Sequence, residues 1–100
     1  MSTSTNEREL NIMRQAIEFE LQLIENEQGS LNAIIDTVIE KIKEARHQLN
    51  DAKEAEAPAE AIKAFTDLRD AYLEMKHSYY DKLHASIARQ KEVQKLRLGL

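Results

Sequence analysis

The strongest constraint on this chain is a seven-residue apolar repeat that runs on both sides of its single proline. Ahead of the proline, Ile17, Leu21, Ile24, Leu31, Ile35, Val38, Ile42, Ala45, Leu49 and Ala52 follow one another at spacings of four and three, with one gap of seven. That pattern fills both core positions of a heptad and predicts a helix with one apolar seam. Leu10 and Met13 extend it toward the N-terminus after a slight slip in phase. Beyond the proline the repeat runs Ala61, Phe65, Leu68, Tyr72, Met75, Tyr79, Leu83, Ile87. It is regular to Tyr79, and the two successive steps of four that follow read as a stutter, which locally relaxes a supercoil. After Ile87 only Val93, Leu96, Leu98 and Leu100 remain, and Gly99 is expected to end the helix.

Two places test the continuity of the first helix. The gap of seven contains Gly29-Ser30, a pair that ends helices elsewhere. Here the missing core position is Gln28, and the register resumes at Leu31 without loss. A loop has no reason to preserve helical phase, so one continuous helix is expected, with Gly29 on its outer surface. Pro58 is the strong breaker. It disfavours helical backbone at Ala57 but suits the first turn of a new helix. The expected layout is a disordered tail over 1–5, a helix over 6–55, a turn at 56–57 and a helix over 58–98, in a single domain. Thr5 or Asn6 would cap the first helix, with Glu7 and Glu9 well placed near its positive end.

So short a turn makes the helices antiparallel neighbours. Folding about 56–57 sets Ala52 against Ala61, Leu49 against Phe65, Ala45 against Leu68, Ile42 against Tyr72, Val38 against Met75, Ile35 against Tyr79 and Leu31 against Leu83. Small faces large in several layers, as interdigitated packing prefers. Charge agrees with this topology. Residues 1–60 hold 6 basic and 13 acidic side chains, a balance of −7, whereas residues 76–100 hold 6 and 2, a balance of +4. The same fold places Glu18, Glu20, Glu25 and Glu27 alongside Arg89, Lys91, Lys95 and Arg97. The fold class expected is therefore all-α, a long antiparallel helical hairpin or two-helix coiled coil, completing a bundle by dimerisation or partner binding.

Composition excludes several functions. With no cysteine, disulfides and Cys-ligated metal centres are ruled out. The polar start lacks the apolar core of a secretory signal, and no apolar run approaches the roughly 20 residues of a membrane span. A cytoplasmic protein without membrane contact is expected. No nucleophile–base–orienter set and no Gly-rich phosphate loop is present, so a non-enzymatic protein without cofactor is expected.

Three constellations invite a sharper reading. Glu44-Ala-Arg-His47 and Glu74-Met-Lys-His77 repeat the Glu-x-x-His spacing with which helical bundles hold metal pairs. The heptad phase turns both histidines outward and leaves the motifs out of level, so solvated surface is preferred to a metal-binding bundle. His77 and His84 share an outer stripe with Tyr80 and Asp81, where a pH-sensitive contact competes with plain exposed histidines. Lys76, Lys82, Arg89, Lys91, Lys95 and Arg97 would suit a nucleic-acid-associated regulator. Cations near a helix C-terminus also offset its dipole and pair with the acidic first helix, which is the preferred reading.

One feature exceeds what a hairpin needs. Ile12, Ala16, Phe19 and Leu23 form a second stripe at spacings of four, three and four, on the opposite side of the first helix from its seam. Ile34 and Ile39 widen the seam further along. A helix apolar on two faces must be covered twice. Wrapping by Leu96, Leu98 and Leu100 would cover part of the stripe but not Phe19 and Leu23. These four residues are the candidate partner-binding site, and the partner is a second copy of the chain or another helical protein. In size, charge and helicity the chain is similar to the small acidic chaperones of bacterial type III secretion and to small phage assembly proteins. The function expected is that of a non-enzymatic interaction module acting through this stripe as an assembly factor, adaptor or small chaperone, and the likeness assigns no residue. A continuous first helix makes Gly29→Ala stabilising by about 0.4–1 kcal/mol. Thermal unfolding checks this, since a turn at Gly29 would give a fall in melting temperature instead.

Overall fold

The computed structural model describes residues 2–100, with side chains from Asn6 onward. It contains two α-helices, α1 (Ser2–Glu54) and α2 (Ala59–Leu98), packed against each other as an antiparallel hairpin. The all-α expectation holds. Helix α1 runs unbroken through Gly29, whose backbone is helical and whose missing Cβ would meet nothing within 4 Å. The helical backbone also begins at Ser2, inside the segment 1–5 expected to be a tail. Ser and Thr cost a helix only a few tenths of a kcal/mol each, and neither Gly nor Pro interrupts these residues. Met1 lies outside the described residues.

The chain packs as two compact units, one of Met1–Ser30 with Leu83–Leu100 and one of Leu31–Lys82. In the Leu31–Lys82 unit the α1 seam is sealed: Leu31, Ile35, Val38, Ile42, Ala45 and Leu49 are all buried. Each Leu or Ile so buried contributes roughly 1.5–3 kcal/mol. The α2 side is looser. Phe65, Tyr72 and Tyr79 are half-buried, while Leu68 and Met75, expected in the seam, remain 39% and 40% exposed. Against a single small-faced neighbour, long side chains overhang the contact and keep one flank in water.

The turn in this unit closes with a Schellman motif. The Ala57 amide donates to the Ala52 carbonyl (2.9 Å) and the Glu56 amide to that of Lys53 (3.1 Å), which satisfies carbonyls left over at the helix end. Glu56 adopts a left-handed φ of 53° to make this possible. The Pro58 carbonyl then accepts from Ala61 (3.0 Å) and Ile62 (3.2 Å), so it starts the first turn of α2. The helix boundaries thus lie one residue inside those expected on both sides of the turn.

In the other unit Leu21, Ile24 and Val93 form a small buried cluster with Ile17 packed on it. Here the expected seam needs correction. Beyond Leu83 it passes through Ser86, only 4% exposed, and Gln90, with Ile87 left at its edge. The repeat therefore resumes its steps of three and four after the stutter, but with polar residues that hide it from an apolar reading. These residues are paired. Gln28 donates to Gln90 (3.1 Å), and the Ser86 hydroxyl donates to Glu27 (3.4 Å). Met13, also expected to extend the seam, is 49% exposed.

The left-handed residue at the turn is an ordinary L-amino acid, and an acidic one, at the negative end of α1. Both features oppose it, by roughly 1–2 kcal/mol for the backbone. Glu56→Gly is therefore expected to raise stability by about 1 kcal/mol, or several degrees in melting temperature. Chemical denaturation with an unchanged m-value would check it.

Candidate partner-binding surface

Within the Met1–Ser30 and Leu83–Leu100 unit, the seam takes up only the inward side of α1. The 3.6-residue period carries Ile12, Ala16, Phe19 and Leu23 away from it, and all four are exposed: Ile12 by 60%, Phe19 by 66% and Leu23 by 47%. The structure thus brings the four predicted residues together on one outward stripe. Leu96 and Leu100 do reach α1, but they meet Met13, Ala16 and Ile17 in a shallow groove and leave Phe19 and Leu23 uncovered. Leu96 is itself 62% exposed and Leu98 85%.

The two flanks of this unit differ in chemistry. On one side, Ala16, Ile17, Val93 and Leu96 line an apolar groove whose rim carries Glu20, Arg89 and Glu92. On the other, Glu18, Gln22, Glu25, Gln90, Gln94 and Arg97 line a polar one. Ala16 belongs both to the exposed stripe and to the apolar groove, so the two form one continuous surface. Sequence reasoning brought Leu96 and Leu100 to this side of α1 but missed Met13, Ile17 and Val93 as groove residues. The signal was present in the spacing of Val93, Leu96 and Leu100 by three and four.

The basic end of α2 is engaged by α1. Arg97 donates to Glu18 (3.0 Å), and Arg89 donates through Nε to Glu20 (3.0 Å) and through a second, shorter contact. The hydrogen bond to Glu20 and its negative charge hold the Arg89 guanidinium above its ordinary pKa. Lys95 turns to Glu92 of its own helix (3.5 Å), and Lys82 lies over the Tyr79 ring, 5.0 Å from its centroid. Arg14 reaches the Leu100 carbonyl (3.3 Å). Ion pairing across the helices therefore joins Glu18 and Glu20, of the four glutamates expected alongside the basic stretch, to Arg97 and Arg89.

The Leu31–Lys82 unit offers a second, smaller apolar groove between Ala33, Ile34, Val38, Tyr72 and Met75. The Glu-x-x-His residues do not converge on it. Glu44 pairs with Lys41 (3.3 Å), His47 sits beside Lys43, Arg46 and Asn50, and His77 faces Asp81 (3.7 Å). Among the described residues, no group of three or more His, Asp or Glu side chains is placed to hold a metal ion. Nor is any helix there long and apolar enough to cross a membrane. No protein family matches the chain, and no curated protein or solved structure shows significant similarity to it.

The cross-helix arginines are exposed, so solvent screening leaves each pair only a small contribution to stability. Reversing Glu18 and Glu20 to Lys sets like charges against Arg97 and Arg89. The double variant should melt lower than the native protein at low salt, and the deficit should shrink as ionic strength rises. A salt-independent deficit would assign the loss to packing instead.

Proposed function

We propose that this chain is a non-enzymatic protein–protein interaction module that presents the Ile12, Ala16, Phe19 and Leu23 stripe, with its adjoining groove, to another helix. The observation that carries this reading is the exposure of Phe19, Ile12 and Leu23 on a helix whose opposite face is already buried. Side chains of this size left together in water mark an interaction site, because a contiguous apolar patch is costly to keep exposed. Their helical spacing suits an amphipathic helix laid alongside, which is the mode used by adaptors, assembly factors and small chaperones. Phe19 is the natural anchor, since a large aromatic side chain in a desolvated pocket often dominates an interface. The engagement of Arg89 and Arg97 by acidic neighbours favours this surface over the basic stretch as the point of contact.

Affinity capture from the cells that make the protein tests the proposal, with the full chain and its Phe19→Asp/Leu23→Asp double variant as baits. Whatever the native chain retains, its own untagged copy included, should be lost from the double variant, whose helical circular dichroism should be preserved. An identical set of proteins on both baits would overturn the reading.

A further inference from the structure

The proposed interaction surface leaves open which helix covers it, and the residues on the stripe point to one answer. The structure assigns that role to α1 of a second copy of this chain, packed antiparallel across a two-fold axis near Ala16 and Phe19. This inference rests on the interaction reading above and adds to it the identity of the occupant.

The stripe is a short second heptad seam. Continued by one step at each end it reads Glu9, Ile12, Ala16, Phe19, Leu23, Asn26. Laid antiparallel on a copy of itself, Ile12 meets the other copy's Leu23 and Ala16 meets its Phe19. Glu9 meets its Asn26 and closes each end with a polar pair. Large side chains then face small ones in the central layers, as close packing requires. A parallel pairing would stack Phe19 on Phe19 and Ala16 on Ala16, leaving one layer overfilled and the next empty. A two-fold interface must be self-complementary, and the antiparallel order meets that condition residue by residue.

The flanking positions allow the same arrangement. On one side of the stripe lie Gln15 and Gln22, which the two-fold sets against each other as neutral hydrogen-bonding partners. Met13 and Glu20 lie on the other side and meet each other's copies, so no like charges are opposed. Glu20 is moreover already neutralised by Arg89 of its own chain.

The area is adequate as well. Ile12, Met13, Phe19, Leu23 and Leu96 are each about half exposed or more. Together they leave roughly 500 Å² of apolar surface per chain, so two copies would bury on the order of 1,000 Å², the lower bound of a specific interface. The groove beside Ala16 gives the other copy's Phe19 ring a place to enter.

Sedimentation equilibrium from micromolar to sub-millimolar concentration, on the full chain, tests the inference. The native protein should sediment at twice the chain mass, and Phe19→Asp should weaken the dimer by more than about tenfold with helicity unchanged. Phe19→Gln, which adds no charge, should weaken it in the same direction and guards against a folding defect. Because the chain lacks cysteine, orientation can be read directly. Ile12→Cys mixed with Leu23→Cys should form the mixed disulfide under mild oxidation, while neither variant cross-links with itself. A native chain that stays monomeric overturns the second copy as occupant and leaves the interaction surface to be judged by capture. A dimer that persists unweakened in both Phe19 variants overturns this face for self-association. Cross-linking of each cysteine variant only with itself overturns the antiparallel order.

Discussion

The structure depends on a limit of geometry: in a two-helix layer each helix has one neighbour and can bury one stripe. Helix α1 meets that limit well where its seam is Leu, Ile, Val and Ala, and those residues are nearly all out of water. Helix α2 meets it less well, because its seam is built from Phe65, Tyr72, Tyr79 and Met75, whose length exceeds what one facing helix can cover. Everything apolar beyond the single seam is left outside by the same limit. The exposed Phe19 stripe and the overhanging Met75 are thus two results of one cause.

The two units reach their pairing by different physics. Leu31–Lys82 has a tight turn and an apolar seam, so its register follows from connection length and side-chain volume. The unit of Met1–Ser30 and Leu83–Leu100 carries a polar layer, Gln28 with Gln90 and Ser86 with Glu27, between its cross-helix arginine pairs and the unit's boundary. A hydrogen-bonded polar layer in a coiled-coil seam adds less stability than a leucine would, but it penalises slipped alignments that leave amides unpaired. The Arg89–Glu20 and Arg97–Glu18 pairs act in the same direction at long range, since reversing or shifting the pairing would separate opposite charges.

That arrangement shapes what the surface can do. Arg89 and Arg97 are already held by glutamates, and His47 and His77 lie on solvated faces, His77 with Asp81 and His47 among basic neighbours. One flank of the terminal unit is polar and the other is apolar, so its two sides differ in the surface they present.

The amino-acid sequence by itself determined that the chain is two helices, where they turn, and which face is buried along α1 from Ile17 and along α2 as far as Leu83. Local backbone preferences and the seven-residue period are enough for that, because both act over a few neighbouring residues. It also determined the Ile12–Leu23 stripe, since faces of a helix follow from spacing alone. Tertiary structure decided what occupies the seam after Leu83. Ser86 and Gln90 are polar, and only the opposing Glu27 and Gln28 make their burial affordable, a fact no local pattern contains. It likewise decided that Glu56 takes the left-handed cap position ahead of Pro58, and that Leu96 and Leu100 line a groove beside Ala16 without covering Phe19. Those outcomes depend on distances between residues far apart in sequence, which only the packed helices set.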